Sequence, residues 1–268
     1  MQATTVSRSV DVPARVSSWL RDVWPPLLTF VVVIALWEGA VRLFQIPLYL
    51  LPAPSQILET FLARPGYLLR IGLLTFTNAL VGCAIGVTLG CLVAALCVRW
   101  RVVADGLVPL AVAASAVPII ALSPLMGIWL GSISPASKIA VVAVMTFFPT
   151  LVSVYSGLVS PRADALLLMR SYAAPQRVVF SHLRAPAALP FLFSALRVCA
   201  TLSMIGAVVA EFFGGPQNAL GVYIKTQAGI LRTREAWAAI LVACLYGLAF
   251  YVAVVLAERA AMPWKRGR

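Results

Sequence analysis

Few side chains in this chain could do acid–base or nucleophilic chemistry, and those few are scattered. The single histidine, His182, lies in a basic stretch, and the sequence contains no HExxH, GxSxG or GxxxxGK[ST] pattern. Those patterns supply the metal ligands, the nucleophile or the phosphate-binding loop of metalloproteases, serine hydrolases and P-loop ATPases. We therefore expect a protein that is not an enzyme and that has no cofactor or metal.

Glu38, Arg42 and Glu211 stand towards the ends of apolar segments. A proton- or sodium-coupled carrier needs ionisable groups near the membrane midplane, but these three lie towards the ends of their segments. They are interpreted as interface residues that pair or extend towards water. The energy for transport is then expected to come from another polypeptide. A secondary carrier, a passive channel and a membrane-embedded enzyme stay as distant alternatives.

The composition predicts a helical protein with several membrane spans. Hydrophobic residues make up 62% of the 268 positions and charged residues 11%, and the mean hydropathy is +0.96. Backbone amides in lipid must bond within their own segment, so an all-α polytopic fold is expected. The five cysteines fall in apolar segments without metal-ligand spacing and are interpreted as packing residues. The predicted spans are residues 25–43, 71–98, 106–130, 139–158, 189–212 and 236–257.

The basic residues predict the orientation of these six spans. The 21 Lys and Arg residues concentrate in loops and tails, which argues against a nucleic-acid partner. With a cytoplasmic N-terminus, fourteen fall inside and seven outside, as the positive-inside rule requires. The predicted divisions are a cytoplasmic tail at residues 1–24, a transmembrane domain at 25–258 and a cytoplasmic tail at 259–268.

Residues 160–190, the 160–190 loop, form a basic and partly apolar interruption between two spans. Arg162, Arg170, Arg177 and Arg184 predict a cytoplasmic location, yet the loop also carries the apolar run from Ala165 to Met169. An apolar helical face beside charges in the cytoplasm indicates a docking partner. A short helix is expected over residues 166–174.

Small residues and prolines mark the interior of two spans. Gly82, Gly86 and Gly90 form a stripe that lets another helix approach closely, and packing within the chain is favoured over an oligomer interface. Prolines 109, 118 and 124 interrupt the third span, and broken backbone is tolerated where it lines a cavity or is buried in protein. The predicted pathway-lining residues are Pro118, Pro124, Ser203 and Glu211.

Four segments in the same order resemble the permease subunits of binding-protein-dependent ABC importers. That family's cytoplasmic loop begins Glu-Ala-Ala, has Gly six residues after the Glu, and ends Leu-Pro-x-x-Leu-Pro. Residues 185–190, APAALP, match the ending except at Ala185, whereas Leu167 and Ala173 stand at the glutamate and glycine positions. The other similar segments are LPAPS at 51–55, VPIIALSPL at 117–125, and GAVVAEF at 206–212 with GVYI at 221–224.

The resemblance implies a type I ABC importer permease that is driven by partners. Such assemblies contain two permease subunits, two cytoplasmic ATPase subunits and an extracytoplasmic solute-binding protein, in the cytoplasmic (inner) membrane of a bacterium. A homodimer of this chain is the simplest assembly, although a second, different permease stays open. The residues of the 160–190 loop expected to contact the ATPase are Leu166, Leu167, Met169, Arg170, Tyr172, Ala173, Ala174, Pro175, Pro186 and Pro190.

The substrate is left between two classes. The Arg170-Ser171-Tyr172 stretch and the run over residues 205–211 look closer to the members that transport thiamine-pyrimidine precursors and riboflavin. The alternative is an anion of the sulfonate, taurine or nitrate type.

Overall fold

The structure is a computed structural model that describes residues 13–115 and 119–263. These residues form helices joined by short turns, with no β-strand among them. The described helices are α1 (Pro13–Leu43), α2 (Pro54–Ala63), α3 (Pro65–Arg99), α4 (Arg101–Ser115), α5 (Ile119–Leu130), α6 (Pro135–Val159), α7 (Ala163–Ser171), α8 (Gln176–Val179), α9 (Ala185–Phe213), α10 (Leu220–Gly229) and α11 (Thr233–Ala261), with a π-helical turn at Phe180–Arg184 between α8 and α9.

Five helical stretches in the described part are long and apolar enough to cross a membrane. They contain α1, α3, α6, α9 and α11, and they agree with five of the six predicted spans. The all-α, multi-pass membrane fold is thereby confirmed. The short helices α2 and α10 lie between spans, where the backbone turns back towards the next long helix.

The third predicted span, residues 106–130, falls mostly on two described helices, α4 and α5. Residues 116–118 between them, Pro118 included, lie outside the described residues. The continuity of this span therefore stays a prediction. Pro109 and Pro124 are accommodated inside helices.

One further boundary agrees with the predictions and one differs. Helix α1 begins at Pro13, and its part that could cross a membrane, Trp24–Leu43, agrees with the predicted span at 25–43. Helix α7 ends at Ser171 rather than at residue 174. Pro25 and Pro26 both lie within α1.

Helices α3 and α6 form the closest pair, and glycine makes their approach possible. A Cβ atom added at Gly82 would lie 2.6 Å from Cβ of Val142, and one at Gly90 would lie 2.9 Å from the Phe147 carbonyl oxygen. A Cβ atom at Gly86 would overlap Thr146 and the Ala143 carbonyl oxygen. The prediction that the glycine stripe packs within the chain is confirmed.

Helix α9 completes the core between α6 and α11. Cys199 and Ala200 are fully buried, and Thr150 Oγ1 lies 3.4 Å from the Cys199 Sγ across the α6–α9 contact. On the other side, Arg197 Nε lies 3.3 Å from a carboxylate oxygen of Glu258 in α11. The core therefore holds α9 on two faces, and the ion pair fixes its position along α11.

Candidate functional site

Glu211, near the end of α9, is buried and joins three helices. Only 1% of the Glu211 surface is exposed to solvent. Its Oε2 accepts hydrogen bonds from Gly221 N at 2.8 Å and from Thr75 Oγ1 at 3.0 Å. Thr75 Oγ1 also accepts a hydrogen bond of 3.0 Å from Leu220 N. The carboxylate thus links α3, α9 and the first turn of α10.

This linkage supplies a cap that the sequence around α10 lacks. The first N–H groups of a helix have no partner within the helix, and Ala219 has no side chain that could accept from them. Glu211 and Thr75 accept from the N–H groups of Gly221 and Leu220 instead. A carboxylate is also favoured at this end by the helix dipole.

Glu38 has the same relationship to α2. Its Oε2 accepts from Ser55 N at 3.0 Å, and its Oε1 accepts from Ser55 Oγ at 2.8 Å and from Arg42 Nε at 2.6 Å. The N-cap residue of α2, Ala53, has no side chain that could accept, and Gln56 Oε1 accepts only from Ala53 N, at 3.0 Å. Glu38 and Arg42 pair with each other, one of the two outcomes expected for interface residues. Glu38 and Glu211 therefore each hold the start of a short helix.

Lys138, at the start of α6, is buried and bonded to the preceding turn. Its ammonium donates to Ser134 O at 3.2 Å, to Ser137 Oγ at 3.1 Å and to the Ser132 carbonyl oxygen. A water-sized cavity of about 20 Å³ separates this turn from α5 and α9. Pro124 of α5 lines this cavity. The sequence reasoning counted Lys138 only as an outer charge and missed its buried position.

The other predicted pathway residues do not meet in one place. Ser203 is fully buried and donates a hydrogen bond of 3.0 Å to Ala200 O, so its hydroxyl faces its own helix. Pro124 is exposed on α5. Pro118 lies outside the described residues. A separate apolar cavity of about 350 Å³ lies between α4, α5, α6 and α9, with Ser115, Leu122, Met145 and Leu202 in its wall.

Helix α7 presents apolar side chains to the outside. Leu167, Leu168 and Tyr172 are 59%, 57% and 75% exposed, and no residue of α7 is buried. Leu166 and Met169, also predicted as contact residues, are half-buried. Leu168 was not among the predicted contact residues, although its place in the apolar run indicated it.

The end of α7 is a complete C-terminal capping motif. Ala173 N donates to Arg170 O at 2.9 Å, and Ala174 N donates to Met169 O at 3.1 Å. Ala173 has a φ of 51°, the left-handed conformation that this motif requires and that glycine adopts most easily. Ala173 is also the position at which the family resemblance expects glycine. The backbone turn is therefore kept although the glycine is not.

The chain leaves this motif through Pro175 and reaches α9 through a π-helical turn. Pro175 precedes α8, and Pro186 lies in the first turn of α9, directly after the π-helical turn. Pro190 lies inside α9. Arg184 Nη1 donates a hydrogen bond of 3.1 Å to Leu158 O, which connects the end of the loop to the end of α6. The loop is thus anchored at its far end while α7 stays exposed.

The fold and these contacts define a helical multi-pass membrane subunit with an exposed loop between two long helices. Its described residues contain no group of His, Cys, Asp and Glu side chains that could hold a metal. Residues 86–266 match the family of binding-protein-dependent transport system inner membrane components, and the chain belongs to this family. It is a permease subunit of an ABC importer. Such subunits are not enzymes, and ATP hydrolysis takes place in partner subunits.

The chain is similar over nearly its whole length to three characterised or named permeases. It is 31% identical to the formylaminopyrimidine transport permease protein ThiX of Halalkalibacterium halodurans, across 90% of this chain and 96% of that protein. It is 29% identical to the riboflavin transport system permease protein RibX of Chloroflexus aurantiacus, across 95% and 96%. It is 26% identical to the taurine transport system permease protein TauC of Escherichia coli, across 91% and 90%. The predicted family is confirmed.

Proposed function

We propose that two copies of this chain form the membrane pathway of an importer for a pyrimidine precursor or a flavin-like heterocycle. Two cytoplasmic ATPase subunits would drive it, and an extracytoplasmic binding protein would deliver the substrate. The higher identity to the formylaminopyrimidine and riboflavin permeases, 31% and 29%, supports this substrate class. The taurine permease at 26% identity supports the second candidate, a sulfonate, taurine or nitrate-like anion.

The exposed apolar surface at α7 is the observation that supports a contact with an ATPase. Leu167, Leu168 and Tyr172 present large apolar surfaces on a loop that also carries arginines. Water is a poor environment for such a patch, and a protein partner would remove it from water. We place the ATPase contact there. ATP-driven closure of the two ATPases would move α7, and the anchor at Arg184 would pass that movement to α6 and α9.

A second copy would cover the apolar side of α5. Leu125, Ile128 and Trp129 are 43%, 75% and 67% exposed. The apolar cavity beside α5 supports a pathway between the two copies, with α5 and α6 in its wall. In this arrangement Pro118 and Pro124 stay candidates for lining residues, whereas Ser203 and Glu211 support the wall from behind.

The orientation proposed is a cytoplasmic N-terminus, C-terminus and 160–190 loop. The arginines of that loop, together with those before α4, support it through the positive-inside rule. Cysteine placed at Ser160 or Arg184 should react with a membrane-impermeant reagent only from the cytoplasmic side, and cysteine at Asn218 only from outside. The parent chain is the control, because Cys244 is its exposed thiol. The reverse labelling pattern would overturn the orientation.

The ATPase contact is tested by Leu167→Asp, which puts a charge into the proposed interface. Transport and substrate-stimulated ATPase activity should fall, while the permease still inserts and purifies as a single species. Val102→Asp is the matched control: Val102 is apolar and 86% exposed, and it lies at the start of α4 outside the loop. Unchanged transport in Leu167→Asp, or equal loss in both variants, would refute the α7 assignment.

The substrate is tested on the cognate binding protein. Calorimetric titration with formylaminopyrimidine, riboflavin and taurine should show tight binding of one of the first two. Tight binding of taurine alone would establish the second candidate. In liposomes the purified chain should show no uphill uptake until the ATPase, ATP and the binding protein are added. Accumulation driven by a proton or sodium gradient alone would contradict an ABC importer.

A further inference from the structure

A polar cavity of about 320 Å³ lies between α2, α10 and the starts of α3 and α11, away from α5 and α7. Arg64, Arg232 and Arg234 all line it. These arginines come from two distant parts of the chain, so only the fold brings them together. Nothing in the proposed coupling or pathway uses this cavity.

The arginines of this cavity are not neutralised by ion pairs. Glu59 and Glu235 also line it, yet within the described chain no carboxylate lies in ion-pair contact with Arg64, Arg232 or Arg234. Three positive and two negative side chains leave an excess of one positive charge in the cavity. That balance suits a ligand with one negative charge.

Two buried polar atoms of the cavity have no partner among the described residues. They are Nε of Arg234, a hydrogen-bond donor, and Oε1 of Gln227, an acceptor. Buried polar atoms in native proteins are nearly always bonded, because leaving one unpaired costs free energy. A ligand that satisfies both must present an anionic acceptor and a hydroxyl or amine donor.

The cavity wall has the character of a membrane interface. Tyr67 and Tyr223 meet edge to face with ring centroids 5.8 Å apart, and tyrosine is enriched where membrane meets water. Burial, followed by neighbouring Tyr67 and Glu235, raises the pKa of the Tyr223 phenol, so it remains a donor. Leu62 and Leu69, on either side of Arg64 in the sequence, are 64% and 38% exposed and offer apolar surface beside the polar cavity.

We propose that this cavity binds a monoanionic phosphodiester that carries a hydroxyl group. The phosphodiester accepts from the guanidinium of Arg234, and the hydroxyl donates to Gln227 Oε1. Phosphatidylglycerol in the membrane has this headgroup, and free glycerophosphoglycerol has the same chemistry without acyl chains. Basic pockets between membrane helices hold anionic lipid headgroups on the cytoplasmic side. The proposed orientation puts this cavity on the other side, where an anionic lipid of that leaflet meets the same arginine chemistry. The inference does not depend on the substrate or on the ATPase contact.

Binding is measured by titrating the full-length chain in detergent and counting bound ligand by native mass spectrometry. The ligands are dioleoyl phosphatidylglycerol, dioleoyl phosphatidylcholine and glycerophosphoglycerol. We expect saturable binding of phosphatidylglycerol or of the free headgroup, and weak binding of phosphatidylcholine. Equal binding of phosphatidylglycerol and glycerophosphoglycerol would show that the headgroup alone is sufficient. Binding of phosphatidylglycerol alone would show that the ligand comes from the membrane. Both results support the site.

Variants of the two unpartnered residues test the assignment. Arg234→Gln should weaken phosphatidylglycerol binding about tenfold or more, the loss expected for a charge-assisted hydrogen bond. Arg70→Gln is the control, because Arg70 is exposed in α3 and does not line the cavity. Gln227→Leu should remove the preference for phosphatidylglycerol over phosphatidylmethanol, which keeps the charge but lacks the hydroxyls.

The proposal is overturned by absent saturable binding, or by equal loss in Arg234→Gln and Arg70→Gln. The proposal is also overturned if the variants still bind lipid but the binding protein no longer stimulates ATPase activity. In that case the arginines would contact a carboxylate of the binding protein rather than a lipid. Should Arg234→Gln fail to fold, Arg64→Gln and Arg232→Gln serve instead, because both residues are exposed. Failure of the importer assignment itself would leave lipid binding unchanged, so the two failures are distinguishable.

Discussion

The carboxylate of Glu211 accepts a hydrogen bond of 2.8 Å from the backbone N–H of Gly221. The two residues belong to different helices, and a Cβ atom at Gly221 would lie 2.7 Å from Cβ of Glu211. The contact therefore depends on both the acid and the glycine. Since Thr75 joins the same carboxylate from α3, three helices lose a shared contact if Glu211 is removed.

Replacement of Glu211 should loosen α10 before it affects the rest of the core. Glu211→Ala removes the acceptor from two buried donors, which costs about 1–3 kcal/mol of stability. Glu211→Gln keeps one acceptor oxygen and should cost less. Hydrogen exchange at the Leu220 and Gly221 amides measures the effect. Glu59→Gln, an exposed acid of α2, is the control; equally rapid exchange in that variant would disprove the capping role.

Substitution in the glycine stripe should separate α3 from α6. Gly86→Ala would overlap Thr146 and the Ala143 carbonyl oxygen, and overpacking of this kind costs about 1–3 kcal/mol. Gly66→Ala is the matched control, because no atom lies within 4 Å of a Cβ atom added at Gly66. The midpoint of thermal unfolding in detergent should fall for Gly86→Ala alone. Equal midpoints would mean that the close helix contact is not required.

The sequence predicted what depends on local pattern. The length of the apolar segments located α3, α6, α9 and α11, and the spacing of Gly82, Gly86 and Gly90 predicted that another helix packs closely on α3. Glu211 was named from its position in an apolar segment, but its partner Thr75 lies 136 residues away. No periodicity links two such residues, so the cap on α10 emerges only when three helices are packed.

Loss of the Glu38 carboxylate should release α2 from α1. Glu38→Ala removes the acceptor used by Ser55 N, Ser55 Oγ and Arg42. The Ser55 amide should then exchange with solvent faster, while the amides of α11 keep their rates. Arg42→Ala is the comparison, since it removes the ion pair but keeps the acceptor for Ser55. Unchanged exchange in Glu38→Ala would show that α2 is held by its apolar contacts alone.

Glycine at position 173 should stabilise the end of α7. Ala173 holds a φ of 51°, and the left-handed conformation costs an L-residue about 1–2 kcal/mol that glycine does not pay. The greater freedom of glycine in the unfolded chain offsets about 0.5–1 kcal/mol of that gain. Ala173→Gly should therefore slow hydrogen exchange at the amides of residues 173 and 174, which donate the two capping hydrogen bonds.

Two further variants separate backbone strain from other effects of residue 173. Ala174 is the next residue and does not have a positive φ. Ala174→Gly should therefore relieve no strain and should lower the stability by about 0.5–1 kcal/mol, because glycine has more conformational freedom in the unfolded chain. Ala173→Val adds a β-branched side chain at a positive φ and should disrupt the cap. If α7 transmits movement from the ATPase, Ala173→Val should also reduce ATP-driven transport while the chain still inserts. Faster exchange in Ala173→Gly than in the parent would show that the alanine is not strained.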